Sequence, residues 1–325
     1  MNQSPKSQTV SRRTFIRDAA LGLSALAVIP LVGCRSAAGS PTTGPARRTI
    51  DLSQDWRFGG KFSEAALQTG FDDSAFTPVT LPHTVARLSW QGWQFSDWMD
   101  VWIYRRHFSL PRELNQQRVF LHFDGVVSAA RPVLNGHALP EQVGGYLPFQ
   151  YEITHLLAES DNVLAVTIDG RWQNAPPEGA PRGPGAVDFF EPAGITRPVS
   201  LSVVPQIFLS DVFAKPVNIL DSNRRVEVGC TIDAALVPDG PARIQVKLVT
   251  AGRTLATVSQ AVPITQTGTT EAKLTLTDLG DIKLWDVDSP QLYDVVVTLF
   301  LADMPVHEYR TRIGFREARF ELDGF

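Results

Sequence analysis

The 325-residue chain carries 30 basic and 34 acidic residues, a formal charge of −4, with 43% hydrophobic residues and two cysteines. An acidic balance without a basic run leaves no electrostatic footprint for nucleic acid, so that class of partner is excluded.

Ser11-Arg12-Arg13-Thr14-Phe15-Ile16-Arg17 reads as a twin-arginine export signal, with Arg12 and Arg13 as its paired residues. Such a signal is an address read by a receptor, not an anchor. The apolar stretch from Ala19 to Gly33 is short against the ~20 residues of a bilayer-spanning helix, which weighs against a transmembrane anchor. Leu31-Val32-Gly33-Cys34 is similar to a bacterial lipobox, in which cleavage leaves the cysteine as an acylated N-terminus; a plain soluble exported protein is the alternative. Residues 1–33 are therefore set aside as signal peptide, and 34–48, rich in Gly, Ser, Thr, Pro and Ala, as a lipidated Cys34 with a flexible tether. Lipid on Cys34 would hold the protein to a membrane by about 0.8 kcal/mol per buried methylene. The expected location is periplasmic or cell-surface, bound to a membrane.

Removing residues 1–33 takes away Lys6, Arg12, Arg13, Arg17 and Asp18, leaving 26 basic against 33 acidic residues, a formal −7. Cys230 then has no partner for a disulfide. Alternation in Val226-Glu227-Val228-Gly229-Cys230-Thr231-Ile232 puts it on an apolar face, as a buried, unreactive thiol.

The remaining residues suit two domains. Short alternating or apolar runs, punctuated by Gly, Pro and Asn, predict an all-β fold. Arg118–Phe123, Val163–Ile168 and Val199–Val204 are predicted strands of the first domain, and Asn135-Gly136 predicts a two-residue hairpin. Strands near Val226–Ile232, Ala242–Thr250, Thr254–Ala261, Glu271–Leu276 and Leu292–Leu301 have the spacing of an immunoglobulin-like sandwich, with the boundary between Pro205 and Asp211.

From Thr49 to Phe325 the order of motifs resembles glycoside hydrolase family 2, of the β-galactosidase type. The resemblance rests on Asp55-Trp56-Arg57-Phe58, Leu81-Pro82-His83, Trp102-Ile103-Tyr104-Arg105-Arg106-His107-Phe108 (one residue longer than the family's strand) and Phe123-Asp124-Gly125-Val126. It continues through Leu134-Asn135-Gly136, Gly144-Gly145-Tyr146-Leu147-Pro148-Phe149 and Gly194-Ile195-Thr196-Arg197-Pro198-Val199. Leu284-Trp285, Pro290-Gln291-Leu292-Tyr293 and Ile313-Gly314-Phe315-Arg316 complete it. The resemblance implies an all-β chain: a jelly-roll (galactose-binding-like) sandwich over 49–206, an immunoglobulin-like sandwich over 207–316, and at 317–325 the start of a connection to a (β/α)₈ catalytic barrel. Retaining glycosidases use two carboxylates about 5–5.5 Å apart. In the family the acid/base follows an asparagine, and no Asn-Glu dipeptide occurs here. No catalytic residue is therefore assigned, and no cofactor.

Asp188, six residues before Gly194, resembles the family's aspartate that reaches from the first domain to hold the substrate sugar or an associated cation; the alternative is a solvated loop. Trp90, Trp93, Trp98 and Trp102 fall within 13 residues. Trp102 opens a strand and reads as structural. Trp90, Trp93 and Trp98 either stack on sugar rings or pack the sandwich or its barrel interface, and Asp97 and Asp100 either bond sugar hydroxyls or are solvated. Arg171 is expected to order its loop and Asp124 to cap local amides. His83 and His122 have no metal-ligand spacing, so no metal site is proposed.

Three readings stand in order. The first is a non-catalytic front part of an exported β-galactosidase-like enzyme, inactive alone. The second is a surface lipoprotein that binds carbohydrate through the jelly-roll. The third is a chain that complements a separately encoded barrel.

Overall fold

Period-two alternation decides which way each long strand faces. The computed structural model describes residues 47–318 apart from 88–90, 92–93, 112–113, 115 and 172–191. Cys34, Arg12 and Arg13 fall outside the described residues. The first half holds β1 (Arg48–Asp51), β2 (Trp56–Lys61), β3 (Thr77–Val79), β4 (His83–Thr84), β5 (Val101–Phe108), β6 (Arg118–Phe123) and β7 (Ala129–Leu134). After them come β8 (His137–Ala138), β9 (Gln142–Val143), β10 (Phe149–Glu152), β11 (Asn162–Asp169), β12 (Gly194–Ile195) and β13 (Val199–Val204). A four-stranded sheet, β1-β13-β6-β10, packs against a larger one ordered β3-β2-β5-β11-β7-β8, with β9 paired to β7. The all-β expectation holds, and this jelly-roll sandwich encloses one core around Trp56, Tyr104, Leu121, Phe123, Leu164 and Leu201.

The predicted hairpin is present. Asn135 and Gly136 take φ of 51° and 82° between β7 and β8, the positive values this turn requires. Asn135 does more than turn the chain. Its Nδ2 donates to Asn162 Oδ1 at 2.8 Å and its Oδ1 accepts from the Val163 amide at 2.8 Å, tying the hairpin to β11.

β11 is buried along its whole length. One face looks into the core, and the segment 62–76 covers the other, with Phe71 and Phe76 beside Ile103 and Ala165. Gly59 is needed here, because a Cβ would lie 2.4 Å from the Phe76 ring. Arg105 of β5 is fully buried beneath this cover. Its Nε donates to Asp73 at 2.8 Å, and its NH1 donates to the carbonyls of Ala66 and, at 3.1 Å, Gln68. His107 Nε2 reaches the same Asp73 oxygen at 2.7 Å. Desolvation pushes the Asp73 carboxyl up, but bonds from Arg105 and His107 outweigh it and hold the group below its ordinary range. Losing one partner of such a buried pair costs about 3–5 kcal/mol. The Tyr-Arg-Arg motif thus serves folding: Tyr104 enters the core and Arg105 pins the outer cover.

The second half holds β14 (Ile207–Val217), β15 (Arg225–Ala234), β16 (Ala242–Thr250), β17 (Arg253–Val262), β18 (Gly268–Leu276), β19 (Tyr293–Leu301) and β20 (Met304–Ile313). Sheets β14-β15-β18 and β17-β16-β19-β20 form the immunoglobulin-like sandwich. β14 begins two residues after β13 ends, so the expected connection from Pro205 to Asp211 is only Pro205-Gln206. Val226, Val228, Cys230 and Ile232 do share the inward face, and burial pushes the Cys230 thiol up to about 12. The closing motifs meet in space. The Trp285 amide bonds Phe315 O at 2.9 Å, the indole lies where a Cβ on Gly314 would meet it at 3.0 Å, and Arg316 stacks over that ring.

The two sandwiches are joined around Arg118 of β6. Its guanidinium donates to Glu152 of the first sandwich (2.7 and 2.9 Å) and to Asp233 of the second (2.8 Å). It also lies 5.2 Å from the rings of Phe120 and Phe208, which with Val204 form a small core of their own. His307 of β20 packs edge-on against Phe208, and its Nδ1 accepts the Leu209 amide at 3.2 Å. Burial, followed by the nearby Arg47 charge, lowers His307 to about 4.

That neutral histidine carries an acid sensitivity. The unfolded chain takes up its proton as pH falls below ~6.5, while the folded joint resists until about 4. Stability linked to His307 is therefore present above the unfolded value and is lost between ~6.5 and ~4. Urea midpoints at pH 7 and pH 5 should differ by an amount equivalent to about 1–2 kcal/mol more in the wild type than in His307→Gln, which keeps an acceptor for Leu209. Parallel pH curves for the two proteins would refute this assignment.

Candidate functional site

Several connections of the first sandwich converge at one end. β12 pairs with β4, placing Gly194 opposite Thr84 and Ile195 opposite His83. Val127 and Gly194 exchange both backbone bonds at 2.9 and 3.0 Å, and the Val85 amide bonds Ala193 O at 2.9 Å. The Gly170 amide bonds Asp100 O at 3.0 Å. Close approach makes two glycines obligatory. A Cβ on Gly170 would stand 2.5 Å from Trp98 O and 2.6 Å from Ala193 Cβ. Gly194, at φ 149°, would place one 2.3 Å from His83 O.

Asp188 lies outside the described residues. Arg171 and Pro192, the described residues flanking its segment, both stand next to this glycine-packed junction. Charge is arranged here in pairs. Asp169 of β11 is buried and accepts Arg171 Nε and NH2 at 2.9 and 2.8 Å, as well as the Arg171 amide at 2.9 Å. Arg171 is held above its ordinary range by these bonds, and its side chain stays 42% exposed, so the fork is fixed at the surface. Lys61, at the end of β2, reaches Asp100 at 2.7 Å. The bond from Lys61, then that from the Val101 amide, keep the Asp100 carboxyl low. Deeper in, burial raises the Tyr104 phenol and lowers the His83 imidazole, and the phenol oxygen and His83 Nδ1 share a hydrogen bond at 2.7 Å. The described surface thus offers fixed carboxylate, guanidinium and ammonium groups, the donors and acceptors that hydroxyl-rich ligands need.

Trp93 and Trp90 also lie outside the described residues. Trp98 takes the packing alternative: it is 1% exposed within the core, and its carbonyl accepts the Trp102 indole N–H at 2.8 Å. A buried ring has no face left for a sugar. Trp102 is structural as expected, 8% exposed. Asp97 is exposed, and its Oδ2 accepts the Gln94 amide at 2.9 Å, which fixes its own short helical turn. Arg171 is tied back to Asp169, and the loop it was expected to order lies outside the described residues. Asp124 does not cap its neighbours: among the described residues its side chain accepts no amide, and its own N–H donates to Pro198 O at 3.0 Å. His122 faces Arg47 at 2.8 Å and His83 faces Tyr104; among the described residues no three His, Cys, Asp or Glu side chains are grouped to hold a metal. Sequence reasoning missed Lys61 as partner of Asp100. The only signal was Gly59-Gly60 before it, where the β2–β5 register slips and re-aims the strand end.

Comparison with known proteins places these halves. Residues 89–191 match the family model described as the glycosyl hydrolase 2 galactose-binding domain-like, and 207–316 match that of glycosyl hydrolases family 2. A β-galactosidase of Thermoanaerobacterium thermosulfurigenes is 26% identical over 282 residues, 86% of this chain and 38% of that protein. A protein named β-galactosidase large subunit, from Latilactobacillus sakei, is 26% identical over 201 residues, 51% of this chain and 31% of that one. The structure of Bacteroides uniformis β-glucuronidase superposes with a TM-score of 0.73 at 23% identity, covering 85% of this chain and 33% of its own, a likeness of fold. The chain thus spans about two-fifths or less of the length of these relatives.

The packed glycines carry a direct test. Gly170→Ala and Gly194→Ala should each lower stability by about 1–3 kcal/mol in urea unfolding, since backbone or side chain must shift to admit the methyl group. Gly70→Ala, where a Cβ meets nothing within 4 Å, should change it by less than about 0.5 kcal/mol. Equal midpoints for all three would remove the steric account of this junction.

Proposed function

We propose that this chain, which carries the galactose-binding-like and immunoglobulin-like N-terminal domains of glycoside hydrolase family 2, supplies the sugar-positioning and spacing part of a retaining β-glycosidase. The observation that carries the reading is the succession of the two family matches along one chain, with a fixed array of charged groups beside the ends of the Asp188 segment. Asp188 is assigned to hold substrate hydroxyls or an associated cation, and Arg171, Asp169, Lys61 and Asp100 order the described surface at the junction around Gly170. The chemistry itself belongs to a barrel with two carboxylates about 5–5.5 Å apart, one giving its proton to the leaving oxygen and the other forming the glycosyl-enzyme bond. The sequence contains no Asn-Glu dipeptide, and no member of that pair is assigned here. The Gly-Gly-Tyr-Leu-Pro-Phe and Leu-Pro-His segments, with the Thermoanaerobacterium relative, favour a β-galactoside as substrate.

A second reading is assembly from separate chains: one relative is named as the large subunit of a β-galactosidase, and the match lies within that subunit. On that reading the present chain docks on a barrel-bearing partner. The purified chain should not hydrolyse p-nitrophenyl β-D-galactoside, and adding a barrel-bearing chain of the family should restore turnover. In that assembly Asp188→Asn should lower kcat/KM by about 10- to 100-fold, the scale of a lost charged hydrogen bond. Turnover by the chain alone would sink the assignment of the chemistry to a barrel. An unchanged kcat/KM would remove Asp188 from the site.

Export by the twin-arginine route and lipid attachment at Cys34 complete the proposal, supported by the order of Arg12-Arg13, the apolar stretch and the lipobox-like segment. Labelled palmitate should be incorporated by the wild type and lost in Cys34→Ala, with the protein moving from the membrane fraction to the soluble one. Labelling that survives in the variant would place the lipid elsewhere.

A further inference from the structure

The outward face of the three-stranded sheet in the second sandwich has a hole at its centre. Register puts Phe213, Gly229 and Lys273 in one row across β14, β15 and β18. The next row begins with Asp211 and ends with Glu271, and Lys215 stands on the other side of Phe213. Gly229 is therefore the missing side chain in the middle of the face, on the middle strand. Glycine there weakens a strand, and nothing about this backbone demands it, since Gly229 is not among the positive-φ residues. A neighbouring aromatic often folds over such a glycine. Here it does not: the only atom within 4 Å of a Cβ built on Gly229 is Phe213 O, at 4.0 Å. The ring instead stands 67% exposed as one wall of an open groove of about 320 Å³, with Lys273 as the other. The groove continues for a further 160 Å³ toward Asp211 and Glu271.

We propose that this groove is a glycan-binding site on the second sandwich, taking a neutral sugar residue whose ring stacks on Phe213 above Gly229. The chemistry of the rim selects the ligand. Asp211, Glu271, Lys215 and Lys273 make no ion pair and no side-chain hydrogen bond among the described residues, so acceptors and donors of both signs are free. A neutral polyol both donates and accepts, and can pair with all four. An anionic ligand would meet Asp211 and Glu271 as well as Glu227, which lines the groove and is paired with Arg225, and a cationic one would meet the two ammonium groups. The exposed aromatic face supplies the apolar contact that a pyranose presents through its C–H groups. This site is separate from the junction around Gly170, and the inference does not depend on the reading given for that junction.

Titration calorimetry of the full chain with lactose, galactotetraose and cellotetraose tests the proposal. Binding in the millimolar range is expected for at least one of them. Phe213→Ala should weaken it tenfold or more, and Phe213→Tyr should keep it. Gly229→Val should abolish it by filling the trough, while the thermal midpoint stays the same or rises, because a β-branched residue suits a strand with open space above it. No binding of any of the three sugars at 10 mM (roughly the weak limit of such sites) overturns the proposal. So does binding that persists unchanged in Phe213→Ala and Gly229→Val, which would place the sugar elsewhere on the chain.

Discussion

One guanidinium sets the geometry between the two sandwiches. Arg118 leaves β6 of the first, grips Glu152 beside it, and reaches Asp233 on β15 of the second, with two phenyl rings against its plane. Only arginine does this, because a planar fork can serve two carboxylates and stack at once. Its side chain is 8% exposed, so the pairs are little screened, and its hydrogen bonds to Glu152 first and Asp233 second hold the proton against desolvation. The rest of the joint follows from that position. Phe120 and Phe208 can close over Val204 because the charge beside them is neutralised, and His307 can stay neutral beneath Phe208 while its Nδ1 takes the Leu209 amide. The connection of two residues between β13 and β14 leaves little freedom for any other arrangement.

The same economy of fixed contacts shapes the end of the first sandwich. Gly170 and Gly194 let backbone approach backbone where any Cβ would collide, and this brings residues 169–171, 192–195, 98–100 and 83–85 into one junction. Polar groups at the junction are paired before any ligand arrives: Asp169 with Arg171, Lys61 with Asp100, Tyr104 with His83. Paired groups hold their orientation, and that is what a positioning surface for a sugar requires, since hydroxyl recognition depends on donor and acceptor directions more than on net charge.

Much of this was legible in the sequence because burial has a period. Val226, Val228, Cys230 and Ile232 announced the inward face of β15, and Asn135-Gly136 announced its hairpin, through rules that act within a few residues. β14 and β20 were not marked out as strands. Ile207–Val217 includes Pro216 and a register slip at Ser210, and Met304–Ile313 alternates only weakly, so local pattern was broken where tertiary pairing took over. The site was harder still. Nothing in a tryptophan-rich stretch marks Trp98 for packing rather than binding, yet it sits in the core. Lys61 and Asp100 are 39 residues apart and meet only because β2 pairs with β5. Long-range pairing of this kind leaves no trace in spacing.

Outward faces escape sequence reading for a related reason. Alternation fixes which residues point out and says nothing of what stands beside them on the next strand. Gly229 in Val-Gly-Cys reads as one weak position in a good strand. Only the register, with Phe213 on one side and Lys273 on the other, turns it into the floor of a groove. A packing explanation would require the glycine to admit a neighbour, as Gly59 admits Phe76 and Gly314 admits Trp285. Gly229 admits none. A glycine retained in a central strand without a steric reason leaves space above the sheet as its only structural consequence, and that space lies beside the most exposed aromatic ring among the large apolar side chains of the described surface.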